Sequence, residues 1–182
     1  MIRARDSQRQ KLYNAERFLQ DFGPRYETVP EIQAYVDHLL SSAWFRRRWP
    51  RTARKGIAVH DGRGRSRAVA ETIWGVNVIK MPLWSRSKSI IIHEIAHHCS
   101  DEAHGLRDVA AHGWQFAGTL LELVTHEMGA EIGSELKESY KEGKVRYKAP
   151  RQRKPLTPQQ RDVLVQRMAT ARLAKEAKSA RL

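Results

Sequence analysis

The chain is poor in cysteine: Cys99 is the only one in 182 residues. An internal disulfide framework is therefore excluded, and so is a zinc ribbon built from cysteine thiolates. Long apolar runs are also missing. The longest, around Ile90–Ile92, is interrupted by His93 and Glu94, far short of the roughly 20 residues a membrane-spanning helix needs. The N-terminal stretch Met1-Ile2-Arg3-Ala4-Arg5-Asp6 has no apolar core of the secretory type. These absences together lead to the expectation of a cytoplasmic protein with no membrane partner. Acidic residues are scarce as well, 20 against 33 Lys and Arg, for a net charge of +13.

That excess is unevenly placed. Residues 141–182 hold 13 Lys and Arg against 3 Asp and Glu, which leaves the first 140 residues close to neutral. A basic tail attracts polyanions without specifying them, so nucleic acid is one candidate partner, and a solvated extension is the plainer reading. Pro150, Pro155 and seven basic residues give 141–156 the composition of a linker. Thr157-Pro158-Gln159-Gln160 then offers a helix start, predicting a basic helical tail over 157–182. The body is expected to be one domain, residues 1–140.

Within that body, Leu12, Ala15, Leu19 and Phe22 recur at helical spacing, predicting a helix over Asp6–Phe22 that Gly23-Pro24 stops. Thr28-Val29-Pro30-Glu31 has capping-box spacing and opens a second helix, which Ser41-Ser42 breaks. In Trp44–Trp49 the two tryptophans alternate with arginines. They either stack on nucleic-acid bases or pack inward beneath solvated guanidinium groups, and inward packing is the commoner arrangement. Ile57–His60, Ala68–Glu71 and Val76–Met81 read as strands, the first two flanking Asp61-Gly62-Arg63-Gly64-Arg65. Three short strands suit a small antiparallel sheet. Helices are expected over Ser85–Ser100, Asp108–His126 and Glu131–Tyr140. The fold class is accordingly α+β.

His93-Glu94-Ile95-Ala96-His97 is an H-E-x-x-H motif. On a helix, residues four apart lie one turn apart on the same face, so two imidazoles can reach one Zn²⁺. Glu94, beside the first ligand, is placed to take the proton of a zinc-bound water as general base. Catalytic zinc takes a third protein ligand. The candidates downstream are His98, His104, Asp108, His112, Glu122 and His126. Ser100 and Ala103 occupy the positions where the metzincin pattern requires Gly and His. His98 adjoins His97 and points elsewhere. His112, on the face of Phe116, Leu120 and Leu123, is the best placed, with Glu122 as the gluzincin-type alternative. A donor to the developing oxyanion is expected as well, with Tyr140 and several arginines as candidates.

His93-Glu94-x-x-His97 followed by His112-Gly113-Trp114-Gln115-Phe116 resembles the SprT-like zincin metallopeptidases, whose second motif is His-Gly followed by an aromatic residue. The stretch Arg5–Glu16 is similar, more closely still, to a small H-E-x-x-H metallohydrolase family of actinobacteria and their phages, and the likeness spans roughly residues 5–150. The resemblance implies a minimal zincin, a small sheet over an active-site helix, with His93, His97 and His112 on Zn²⁺ and Glu94 as base. It also implies a peptide or protein substrate. Many SprT-like proteins add a cysteine zinc ribbon, which this chain cannot. Two other functions fit the residues: a nucleic-acid-binding protein with a structural or vestigial zinc, and an amidase acting on non-peptide substrates. The oligomeric state is not legible.

Overall fold

The computed structural model describes residues 6–105, 110–148, 166–168 and 170. The chain divides into two units, Met1–Ala149 and Pro150–Leu182. Gln166, Arg167, Met168 and Thr170 of the second unit are helical; the rest of the expected basic tail, and Asp108, lie outside the described residues. The sheet and every other helix among the described residues belong to the first unit.

The first helix is shorter than its apolar pattern predicts. α1 spans Arg9–Glu16, and the chain then tightens into a 3-10 turn, Arg17–Asp21. Leu12, Ala15 and Leu19 are buried, as their spacing requires, whereas Phe22 is among the exposed apolar residues. α2 (Val29–Ser41) begins on the expected capping box: Thr28 accepts from the Glu31 amide and the Glu31 carboxylate accepts from the Thr28 amide. Ser42 ends it and caps α3 (Ala43–Arg48), with α4 (Pro50–Lys55) following. In this segment the inward arrangement holds. Phe45 and Trp49 are buried, Trp44 stacks on His126 with ring centroids 3.6 Å apart, and Arg46 and Arg47 are solvated.

The strands are β1 (Ala58–Asp61), β2 (Val69–Ile73) and β3 (Val76–Met81). Their order is β1-β3-β2, with β1 parallel and β2 antiparallel to β3, so the sheet is mixed rather than antiparallel. Two local features produce this. Trp74 and Gly75 both have positive φ, 51° and 83°, which makes a two-residue hairpin turn between β2 and β3. β3 is also the most buried strand, with Val78, Ile79 and Met81 in the core, so it takes the centre. Residues 62–68 therefore step across two strand spacings, about 10 Å, instead of closing a hairpin. Gly62 makes that step possible: a Cβ there would lie 2.4 Å from Pro82 Cδ.

The outer edge of β1 is partly covered. Gln33 of α2 accepts from the Val59 amide and donates to the Ile57 carbonyl. β2 is the other edge strand.

α5 (Lys88–His104) opens on Ser87, whose hydroxyl accepts from the Ile90 amide, and ends at Gly105. It continues past Ser100, the end expected from the sequence, by four residues. Most of its surface is buried because it lies between the sheet and α6 (Trp114–Met128). α7 (Ala130–Glu142) packs back on α6, and the chain beyond it stays with the body. Val145 is buried, Tyr147 packs against Tyr140, and the Arg146 amide donates to Gln8 Oε1. Residues 141–149, expected as linker, thus belong to the first unit. No helix among the described residues is long and apolar enough to cross a membrane.

Candidate metal centre

His93 and His97 are placed by α5, four residues apart on the helix face turned toward α6 and α1. His112 comes from elsewhere than expected. It precedes α6 instead of lying within it, in a turn closed by the Gly113 amide donating to the Ala110 carbonyl. The turn leaves little room for a side chain at Gly113, where a Cβ would sit 3.1 Å from the Ala110 oxygen. The three histidines nevertheless converge. One ring nitrogen from each lies within 4.8 Å of the others, close enough to hold one metal ion. Phe116, buried one turn into α6, packs on all three rings at centroid distances of 4.9, 4.3 and 5.1 Å.

The remaining downstream candidates among the described residues are directed away. His98 Nε2 lies 3.2 Å from the Val78 carbonyl of the sheet. Glu122 pairs with Arg48 at 2.7 Å. His104 packs edge-on against Trp114, and His126 stacks on Trp44. Cys99 is fully buried, and burial pushes its thiol up.

Two carboxylates from the N-terminal segment complete the site, and sequence reasoning misses both. His93 Nδ1 donates to Glu16 Oε2 at 3.0 Å, and His112 Nδ1 donates to Asp6 Oδ2 at 2.7 Å. A carboxylate on Nδ1 leaves Nε2 available to a metal ion and raises its basicity, the usual support for a metal-binding imidazole. The donor set fits a borderline-soft divalent ion such as Zn²⁺. Gln8 adds backbone support: its Nε2 donates to the His112 and Arg146 carbonyls at 2.8 and 3.0 Å. Tyr13 joins the group from α1, its hydroxyl 3.2 Å from His112 Nε2. The sequence carries one cue. Arg9, Tyr13 and Glu16 follow helical spacing, so they form a polar stripe beside the apolar one.

The environment tunes each group. Burial lowers the His93 pKa, but the Glu16 charge, its hydrogen bond and Glu94 outweigh burial and raise it to about 8. Burial, with the neighbouring histidines, holds His97 well below its ordinary value. Burial also lowers His112, partly offset by Asp6. Glu94 is raised by burial, against the opposing effects of His93, the Ala70 amide and Arg67. A carboxylate shifted toward neutrality is better matched to proton transfer.

A cleft of 290 Å³ opens over these residues, walled by Tyr13, by Ala68–Ala70 leading into β2, and by Ala110 and Ala111. Tyr140, one of the candidates for an oxyanion donor, is not in it; the side chain is fully buried and its hydroxyl has no hydrogen-bond partner among the described residues. Comparison with known proteins finds no family model, curated protein or solved structure that matches this chain.

Proposed function

We propose that the chain is a zinc-dependent hydrolase of the SprT-like zincin type, acting on peptide bonds. The observation that carries this is the convergence of His93, His97 and His112 with carboxylate-supported imidazoles, next to a buried Glu94. Zn²⁺ held by these three histidines would supply Lewis acidity and make water a competent nucleophile near neutral pH.

The protein's own groups supply the rest. Glu94 accepts the proton of the attacking water and returns it to the leaving amine. Tyr13, a phenol at the cleft wall, donates a hydrogen bond to the oxygen on which charge develops. Asp6 and Glu16 orient two imidazoles and hold them in one tautomer. The edge strand β2 borders the cleft, and an extended peptide can add to such an edge by main-chain hydrogen bonds. That edge is what favours a peptide over a small amide.

The test is cleavage of a quenched-fluorescence peptide library by zinc-loaded wild type and Glu94→Gln. Turnover should fall about 10²–10⁴-fold in the variant with zinc content unchanged. Full activity in Glu94→Gln would remove Glu94 as base. Hydrolysis of simple N-acyl amides without peptide cleavage would move the protein to the amidase class.

A second reading, nucleic-acid binding with zinc in a structural role, is favoured by the charge of residues 141–182.

A further inference from the structure

Adjoining the histidine cleft lies a second cavity of 420 Å³ that shares Arg9, Tyr13, Arg67, Ala68, His93 and Glu94 with it. Three guanidinium groups line this cavity: Arg9 of α1, Arg17 of the 3-10 turn, and Arg67 ahead of β2. Among the described residues none of the three is in an ion pair, whereas Arg48, Arg63 and Arg86 each have a carboxylate partner. The cavity's two acids are both engaged. Glu16 accepts from His93, and Glu94 is the proposed base. Trp84 and Ile90 add an apolar wall.

We propose that this cavity is a specificity subsite for an acidic side chain, so that the substrate is a peptide carrying Asp or Glu next to the scissile bond. The assignment rests on the hydrolase reading for the position of that bond. It follows from three features together. Side chains of an extended peptide laid along β2 project alternately, every second one about 7 Å further along, which delivers one of them into a cavity adjoining the base. The Trp84–Ile90 wall packs against its methylene groups. The guanidinium forks, with no carboxylate of their own, take its carboxylate, a geometry arginine satisfies with paired hydrogen bonds. Arg9, Arg17 and Arg67 are exposed, so the attraction is screened by salt and the preference falls as ionic strength rises.

The experiment uses fluorescein-labelled alanine-rich peptides with Glu at one position, each matched to a Gln twin. Anisotropy on the zinc-loaded Glu94→Gln full chain measures binding without turnover, and wild type gives kcat/KM for the same pairs. The Glu peptide should bind about tenfold more tightly than its twin, as expected for charge-assisted bonds at a screened site. Arg17→Gln/Arg67→Gln should narrow that ratio toward one. Equal binding of the twins, or a ratio that survives in the double variant, overturns the subsite. If wild type cleaves neither twin, the hydrolase reading fails while the anisotropy ratio still decides the subsite. If a DNA oligonucleotide displaces the Glu peptide at lower concentration, and only while Arg17 and Arg67 are present, the arginines form a nucleic-acid surface and the proposal falls.

Discussion

Asp6 and His112 stand 106 residues apart in the chain and are joined by a 2.7 Å hydrogen bond from the imidazole Nδ1 to the carboxylate Oδ2. The other oxygen, Oδ1, is buried without a partner among the described residues. Burying a carboxylate this way costs stability unless its environment compensates, so the pairing is best explained by what it does for the histidine. Glu16 repeats the relationship on His93. Asp6→Ala and Glu16→Gln should each weaken zinc affinity about 10- to 100-fold, measured by competition with a chromophoric chelator. Affinity unchanged in both would leave the carboxylates with no part in holding metal.

That pair also marks the limit of what the sequence makes legible. H-E-x-x-H can be read because helical geometry alone carries residue 93 to residue 97. The Thr28–Glu31 cap and β3 can be read for the same reason, being local. The histidine at 112 is found through its motif, but the apolar spacing of α6 extends back past Gly113 and predicts helix where the backbone turns. The sense of the sheet is misread because residues 62–68 carry the chain past β3 instead of closing a hairpin, which leaves β1 parallel to β3, and the glycine-rich segment reads locally as a turn. On α1, apolar periodicity finds the buried stripe formed by Leu12, Ala15 and Leu19. What the polar stripe of Arg9, Tyr13 and Glu16 touches depends on a packing partner far along the chain, and no local pattern encodes that.

Metal removal should lower stability. Free zinc at a hundred times its Kd adds about 2.7 kcal/mol to the folded state, and for a domain of this size that corresponds to about 5–10 °C in melting temperature. Chelator should remove this increment from wild type and have no effect on His97→Ala. Identical melting of wild type with and without chelator would count against a bound metal.

Tyr13→Phe separates catalysis from metal binding. The ring packs on His93 and His112 at centroid distances of 5.7 and 5.1 Å, and phenylalanine preserves that packing while deleting the hydroxyl. If the hydroxyl stabilises developing charge, kcat should fall about 100-fold with zinc affinity nearly constant. A variant that instead loses zinc would place Tyr13 among the groups that hold the metal.

Asp101, one turn beyond His97 on α5 and lining the same cleft, provides a pH signature of its own. Burial raises its pKa from 3.8 to about 6, and it lies in the last turn of α5, where the helix dipole disfavours a negative charge. A folded-state pKa above the unfolded value means that ionisation works against folding. Stability is full below about pH 4, where the carboxyl is protonated in both states, and is lost as pH rises from there through about 6. A two-unit shift corresponds to nearly 3 kcal/mol, and partial exposure screens this to about 1 kcal/mol. Asp101→Asn should therefore be more stable than wild type by about that amount at pH 7.5, with the gain vanishing near pH 4. Denaturant unfolding at the two pH values checks it, and a gain equal at both would assign the effect to something other than ionisation.

The basic C-terminal region decides between the two functional readings, and where it is cut matters. Val145 is buried, and the backbone of residue 146 is tied to Gln8, which in turn holds the His112 carbonyl. Truncation from residue 141 should therefore destabilise the metal centre itself and confuse the two functions. Truncation after Ala149 respects the boundary of the first unit and still removes nine Lys and Arg against two Asp and Glu. The 1–149 chain should melt within about a degree of full length, consistent with ΔΔG below about 0.5 kcal/mol. If the tail binds DNA, full-length affinity should fall steeply with salt, and truncation should flatten that slope by about 0.9 for each phosphate the tail had neutralised. Peptide cleavage retained by the truncated chain would locate hydrolysis in the body. DNA binding that is unaffected by truncation would instead assign it to the body, and the tail would be a solvated extension.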